Sequence, residues 1–311
     1  MSSRLFGKKK EKERFFLKNG AAVLEQLISS LNGDCNPIRN YSAQQLKTAT
    51  NSHHHELMLH EDEIAVKMFN GGYLKEIANE AAIASRMSSH NNVLKLLGCC
   101  LETEWPILVF EYPKMGNLAD YISRTDLDVP LALELRLRIA MKVANAVAYL
   151  HHGLSKKFIH GDIKSSNIFL DQNFEPKLFD FQRALSIPEG ENHVQVDEIF
   201  GTCGFIAPEA VLNNRYSEKS DVYAFGSLFY EILTKKTIFN FFIDFSGPVT
   251  SLQEATSALL SAEASTVLLQ EENRAQVMEA IKLMEACLKF NPDDRPDMIE
   301  VAKALRLIIN S

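Results

Sequence analysis

The sequence predicts an α+β fold, and three observations predict it. Strand-like apolar runs crowd the front of the chain, at residues 64–69, 93–101 and 107–111. One helix-period segment, residues 74–87, interrupts them with Ile77, Glu80, Ala84 and Met87 on one face. Helical runs then dominate. Residues 131–150 carry Ala140, Val143, Val147 and Leu150 on one stripe, and the run from Ser220 to Leu233 is apolar nearly all round, as a buried helix is. With 311 residues and 46% hydrophobic content the chain can bury a sizeable core, as one two-lobed domain or as two domains.

Composition removes several function classes. A net charge of −7 argues against a dedicated nucleic-acid binder. The five cysteines are odd in number and lack metal-ligand spacing, which predicts reduced thiols in an intracellular protein. The charged first twenty residues do not read as a signal peptide, Ser2 excludes N-myristoylation, and no apolar run reaches the roughly 18 residues of a membrane span.

The front end is basic, then amphipathic. Arg4, Lys8, Lys9, Lys10, Lys12 and Arg14 face only Glu11 and Glu13; a solvated, frayed terminus is expected, and contact with an anionic membrane or acidic partner is the alternative. Residues 15–31 place Phe16, Val23, Leu24, Leu27 and Ile28 at helical spacing, a helix expected to pack on the domain. Ser42-Ala43-Gln44-Gln45 reads as a capping box that starts a short helix to about Thr48.

The chemistry sits in His160-Gly161-Asp162-Ile163-Lys164-Ser165-Ser166-Asn167. It gathers a carboxylate, an ammonium and a carboxamide in one short loop. Those are parts of a phosphoryl-transfer site: Asp162 orients a hydroxyl, Lys164 neutralises a phosphate and Asn167 holds a metal ion. Lys67 ends the strand Ile64-Ala65-Val66-Lys67, and Glu80 lies on an inward apolar face where an unpaired carboxylate would be costly, so the two are expected to pair. Pro176-Lys177-Leu178-Phe179-Asp180-Phe181-Gln182 offers Asp180 as a second magnesium ligand. Gly201 to Glu209 ends in Ala207-Pro208-Glu209, and Asp293-Asp294-Arg295-Pro296 supplies an arginine to pair with Glu209.

In this order the motifs resemble the protein kinase family: the strand lysine Lys67, the helix glutamate Glu80, the H-R-D-x-x-x-x-N loop at His160, D-F-G at Asp180, A-P-E at Glu209, Asp221 and Arg295. The resemblance spans residues 56–310. It implies a two-lobed protein-kinase fold with a mainly-β small lobe carrying one key helix and a mainly-α large lobe. The implied boundaries are a basic tail with amphipathic helices at 1–50, a small lobe at 51–112 and a large lobe at 113–311. Phe110 would stand at or beside the gatekeeper position of an adenine pocket.

Three departures bear on catalysis. Asn51 to Asp62 reads NSHHHELMLHED, with no glycine and no room for two strands and a turn, so the small lobe is truncated at the phosphate-covering G-x-G-x-x-G loop. One short strand, at residues 56–60, is expected to hairpin onto residues 64–69. His53-His54-His55 reads as solvated loop rather than a metal site. Gly161 replaces the arginine that reads a phosphorylated activation segment, and Gln182 replaces a glycine that supplies backbone freedom. Between Asp180 and Glu209 only Ser186 and Thr202 carry a hydroxyl, and Asp197-Glu198 stands where regulatory hydroxyls often lie.

The wording Asp162-Ile163-Lys164-Ser165-Ser166-Asn167-Ile168, Gly201-Thr202-Cys203-Gly204-Phe205 and Ser220-Asp221-Val222-Tyr223-Ala224-Phe225-Gly226 resembles plant receptor-like cytoplasmic kinases. The segments Phe16-Leu17-Lys18-Asn19-Gly20, Asn36-Pro37-Ile38-Arg39 and Leu46 to Asn51 narrow this to the HOPZ-ETI-deficient-related kinases, a pseudokinase subfamily. That resemblance implies an adaptor in plant innate immunity. It would be held by the leucine-rich repeats of an intracellular NLR receptor and would sense bacterial effectors directly or through a bound receptor-like cytoplasmic kinase. It implies a cytoplasmic protein that reaches the plasma membrane through partners. It requires no cofactor, with MgATP at most a weak ligand of Lys67, Glu80, Asn167 and Asp180, and Asp162 a vestigial base. The alternative is a weakly active Ser/Thr kinase that transfers phosphate from MgATP. The polar stretch 240–272 is a second candidate partner site or an ordinary large-lobe loop and helix.

Overall fold

The computed structural model describes residues 9–31, 38–49, 57–59, 64–71, 73–123, 132–238 and 273–311. His53-His54-His55 and the stretch 240–272 lie outside them. The chain forms two compact units. The first holds residues 1–115 with 179–184, and the second holds 116–178 with 185–311.

The first unit is built on a five-stranded sheet: β1 (Arg39–Asn40), β2 (Leu57–Leu59), β3 (Ile64–Lys67), β4 (Leu96–Cys100) and β5 (Ile107–Glu111), in the order β1-β4-β5-β3-β2. The short strand expected before Ile64 is present: β2 pairs antiparallel with β3, Leu57 opposite Val66. On the far edge, β1 pairs parallel with β4, and periodicity had given no sign of it. The join is close, because a Cβ at Gly98 would stand 2.1 Å from the Arg39 carbonyl oxygen. Only glycine fits there.

Helix α2 (Ala43–Ala49) opens with the expected capping box. Gln45 N donates to Ser42 Oγ at 3.1 Å, and Ser42 N donates to Gln45 Oε1 at 2.8 Å. It lays Ala43 and Leu46 on Ile64, Cys100, Ile107 and Val109. Helix α3 (Leu74–Met87) buries Ile77, Glu80, Ala84 and Met87, the face read from the sequence.

Helix α1 runs Lys9–Leu31, so Lys9 to Arg14 form its first turns rather than a frayed tail. It packs on α3. Asn19, fully buried, donates to the Leu101 and Thr103 carbonyls at 3.0 and 2.8 Å. The five apolar residues do not share one buried face. Val23 is buried, whereas Leu24 and Ile28 are each 57% exposed and Phe16 is 40% exposed. Val23 and Leu24 are adjacent, about 100° apart around the helix, so packing one turns the other outward.

The second unit is mainly helical: α4 (Leu118–Ser123), α5 (Leu133–His152), α6 (Pro208–Asn213), α7 (Glu218–Thr234), α8 (Arg274–Cys287) and α9 (Met298–Ile309). Ala140, Val143, Val147 and Leu150 of α5 are fully buried. Helix α7 is buried nearly all round and starts at a capping box between Ser217 and Ser220. Three small antiparallel pairs complete the unit: β6 (Phe158–Ile159) with β9 (Leu185–Ser186), β7 (Ile168–Leu170) with β8 (Pro176–Leu178), and β10 (Val194–Gln195) with β11 (Arg215–Tyr216). Arg295 pairs with Glu209 as read, both nitrogens of the fork at 2.9 Å from its two oxygens. No helix among the described residues is long and apolar enough to cross a membrane.

Candidate functional site

Each unit carries one half of the predicted constellation. In the first, Lys67 ends β3 and Glu80 lies on the buried face of α3. Lys67 Nζ donates to both Glu80 oxygens, at 2.9 and 2.8 Å, and to Asp180 Oδ1 at 2.8 Å. Three carboxylate oxygens therefore surround one ammonium, which also lies over the rings of Phe69 and Phe179. Phe110 is buried and meets Phe179 edge-on at 5.0 Å. Asp180 itself has a left-handed backbone, φ 67°.

The electrostatics follow from burial. Desolvation pulls the Lys67 ammonium down, and Glu80 and Asp180 more than restore it, so its pKa stands above the ordinary 10.5. Desolvation pushes the fully buried Glu80 carboxyl up to about 7, against the pull of Lys67 and with a further push from Asp180. Folded Glu80 thus holds a proton at pH values where the unfolded chain has released it. The stabilisation this gives is complete below the ordinary value of 4.5 and is lost as pH rises through about 7. Glu80→Gln keeps the neutral shape at every pH. The melting temperature of the wild type relative to that variant should fall steadily between pH 4.5 and 7.5; a flat or rising difference would contradict the assignment.

Gln182 departs from the expectation attached to it. It has no positive φ, so the freedom of a glycine is not used there. Its side chain instead donates to Glu76 Oε2 at 3.2 Å, and Asn79 donates to the Ala184 carbonyl at 2.9 Å, tying residues 182–184 to α3.

In the second unit, Asp162, Lys164 and Asn167 come together. Lys164 Nζ lies 2.8 Å from Asp162 Oδ2. Asn167 Nδ2 donates to the Asp162 carbonyl at 2.8 Å and to Oδ2 at 3.2 Å. Thr202 joins them, its hydroxyl donating to Asp162 Oδ1 at 2.9 Å and accepting from Lys164 at 2.9 Å. Sequence alone shows Thr202 only as a hydroxyl on the activation segment. Its place in the site depends on the fold of residues 200–206.

The loop is hung from Asp221. Its Oδ2 accepts from His160 N at 2.7 Å and its Oδ1 from Gly161 N at 3.0 Å. Gly161 has φ +77°, a bend that suits a residue without Cβ. The replacement that removes a phosphate-reading arginine therefore also relaxes the loop. Downstream, residues 185–216 are held by backbone pairing and ring stacking. The two strand pairs anchor them, Val196 N donates to the Asn214 carbonyl at 3.0 Å, and the rings of Phe200 and Tyr216 stack at 4.3 Å. Asp197 and Glu198 are exposed.

The protein kinase domain profile matches residues 50–305. The chain belongs to the protein kinase family. This kinase-fold chain is 33% identical, over 97% of its length, to the non-functional pseudokinase ZRK2 of Arabidopsis thaliana, covering 92% of that protein. It is 33% identical over the same share to the serine/threonine-protein kinase ZRK1 and 32% identical over 96% to the non-functional pseudokinase ZED1, both of Arabidopsis thaliana, covering 95% and 97% of them. Within the kinase family it thus stands in the HOPZ-ETI-deficient-related group.

Asp180 in the first unit and Asn167 in the second each carry a side-chain oxygen of the hard type that Mg²⁺ takes. Asn167 Nδ2 is committed to Asp162, which turns the carboxamide oxygen to the other side.

Proposed function

We propose that this chain works as a pseudokinase adaptor. It is held by the leucine-rich repeats of an intracellular plant immune receptor, and it senses effectors directly or through a bound receptor-like cytoplasmic kinase. The observation that carries the non-catalytic part is the front of the sheet. Residues 51–62 contain no glycine, and among the described residues a single strand, β2, stands outside β3. A nucleotide would then lack the backbone N–H cover that positions its phosphates. Lys67, the cation that would face the phosphates, is already engaged by Glu80 and Asp180. The similarity to ZRK2 and ZED1, both named non-functional pseudokinases, supports the same reading.

The binding part is supported by α1, which packs on α3 by one face and leaves Leu17, Leu24 and Ile28 exposed at helical spacing. MgATP is at most a weak ligand here, and Lys67, Asn167 and Asp180 are the residues whose chemistry suits its phosphates and metal. When bound, the metal would neutralise phosphate charge. A second reading, a weak Ser/Thr kinase, is favoured by the survival of Asp162, Lys164, Asn167, Lys67 and Asp180, and by the name of ZRK1.

The test is complex formation between the purified chain and a receptor leucine-rich-repeat region. The proposal expects a stable complex without ATP, unchanged by Asp162→Asn. Absence of any complex across the plant's candidate receptors, or one that forms only with ATP and is lost in Asp162→Asn, would contradict it.

A further inference from the structure

In the second unit the end of α5 lies beside the start of α7. His151 and His152 close α5, and Glu218 opens α7. One ligating atom from each of the three lies within 4.8 Å of the others. We propose that His151, His152 and Glu218 form a binding site for a divalent cation of the zinc class.

The donor set is two imidazole nitrogens and one carboxylate oxygen, a combination that suits Zn²⁺ and leaves a fourth position for water. The buried histidine is held at one ring nitrogen. His151 Nε2 stands 2.9 Å from Asp221 Oδ2, which also accepts from the backbone N–H of His160. In the proposed site His151 takes the tautomer in which Nε2 donates to this carboxylate, which leaves the Nδ1 lone pair for the ion. A carboxylate behind a histidine behind a metal is the usual outer shell of such sites.

Glu218 supplies the complementary sign. Its Oε2 takes the Lys157 ammonium at 3.2 Å, while Oε1 is buried and without a hydrogen-bond partner. That orphan oxygen stands 3.8 Å from His152 Nδ1, too far for a hydrogen bond. Two ligands of one tetrahedral ion stand about 3.3 Å apart, so modest rotamer changes would close the trio on a metal. The charged groups around the ion would be the Glu218 and Asp221 carboxylates and the Lys157 ammonium. This leaves a net −1 to receive a cation. The site lies outside the phosphoryl-transfer residues and shares with them only Asp221, the anchor of the His160 loop.

The experiment uses the full chain in a background with His53, His54 and His55 changed to alanine, which removes the other cluster of histidines. Zn²⁺ and Co²⁺ are titrated, with melting temperature and visible absorption as readouts. Zn²⁺ should raise the melting temperature. Co²⁺ should show the d–d bands of a tetrahedral site without a thiolate charge-transfer band. Loss of an outer-shell partner costs about 10–100-fold in metal affinity, so His152→Ala and Glu218→Gln should each weaken binding about 100-fold or more. His152 is exposed, so its loss does not threaten the fold. No binding by the parent chain, equal binding by His152→Ala, or a thiolate band that places the ion on a cysteine would each overturn the proposal.

Discussion

Replacing Arg295 by alanine should lower the free energy of unfolding by about 3–5 kcal/mol, the usual cost of breaking a buried ion pair from one side. Arg295 is only 2% exposed. Its guanidinium donates to both oxygens of Glu209 and to the carbonyls of Lys289, Phe290 and Lys219, and lies over the ring of Tyr223. Without it, Glu209 keeps only the Ser220 hydroxyl as a charge-stabilising side chain, and three backbone oxygens lose a donor. Domains are stable by about 5–15 kcal/mol, so this one change removes a large share. Arg295→Lys should recover only part of the loss, because an ammonium keeps the charge but cannot reproduce the planar fork. Urea unfolding of the three proteins reads both numbers; a loss below about 1 kcal/mol in the alanine variant would show that the network is not stabilising.

Phosphoryl transfer by this chain should be slower than that of an ordinary kinase by about a hundred- to ten-thousand-fold. Hydrogen bonds to charged groups are worth about 1.5–3 kcal/mol each. Losing two from the phosphate-covering loop removes roughly 3–6 kcal/mol of transition-state stabilisation, and each 1.4 kcal/mol or so is a factor of ten in rate. From about 1–100 per second for kinases, turnover falls to about 1 per second at the very best and to about 10⁻⁴ per second at the other limit. Incorporation of labelled γ-phosphate into a generic Ser/Thr substrate measures it. Gln182 adds nothing to the deficit, since its backbone is unstrained and its side chain tethers α3.

Much of this architecture could be read from residues alone, where a physical constraint tied two of them together. Glu80 on an apolar face demanded a cation, and the strand lysine was the one in register. The glycine-free stretch before Ile64 was too short for a hairpin of two strands, and among the described residues β2 is the strand that pairs with β3 on the side away from β5. Periodicity could not show β1, because two residues have no period and their pairing is long-range. It also misread α1, where five apolar residues spread over more than one face and only the packing against α3 selects Val23. Thr202 and the metal-competent trio at the α5–α7 junction were invisible for a related reason. Each joins residues more than 35 positions apart, and their meeting depends on how the helices of the second unit pack.

The central claim is that a kinase fold with its reactive side chains in place is used here for binding rather than for transfer. The most direct measurement is labelled-phosphate transfer by the wild type and by Asp162→Asn, assayed side by side at saturating MgATP. The account predicts wild-type transfer at least about a hundredfold below that of an ordinary kinase, at or below about 1 per second. Transfer by the wild type at an ordinary kinase rate that Asp162→Asn abolishes would contradict it, and would make this chain a working kinase that cradles its nucleotide by some route other than a glycine-rich loop.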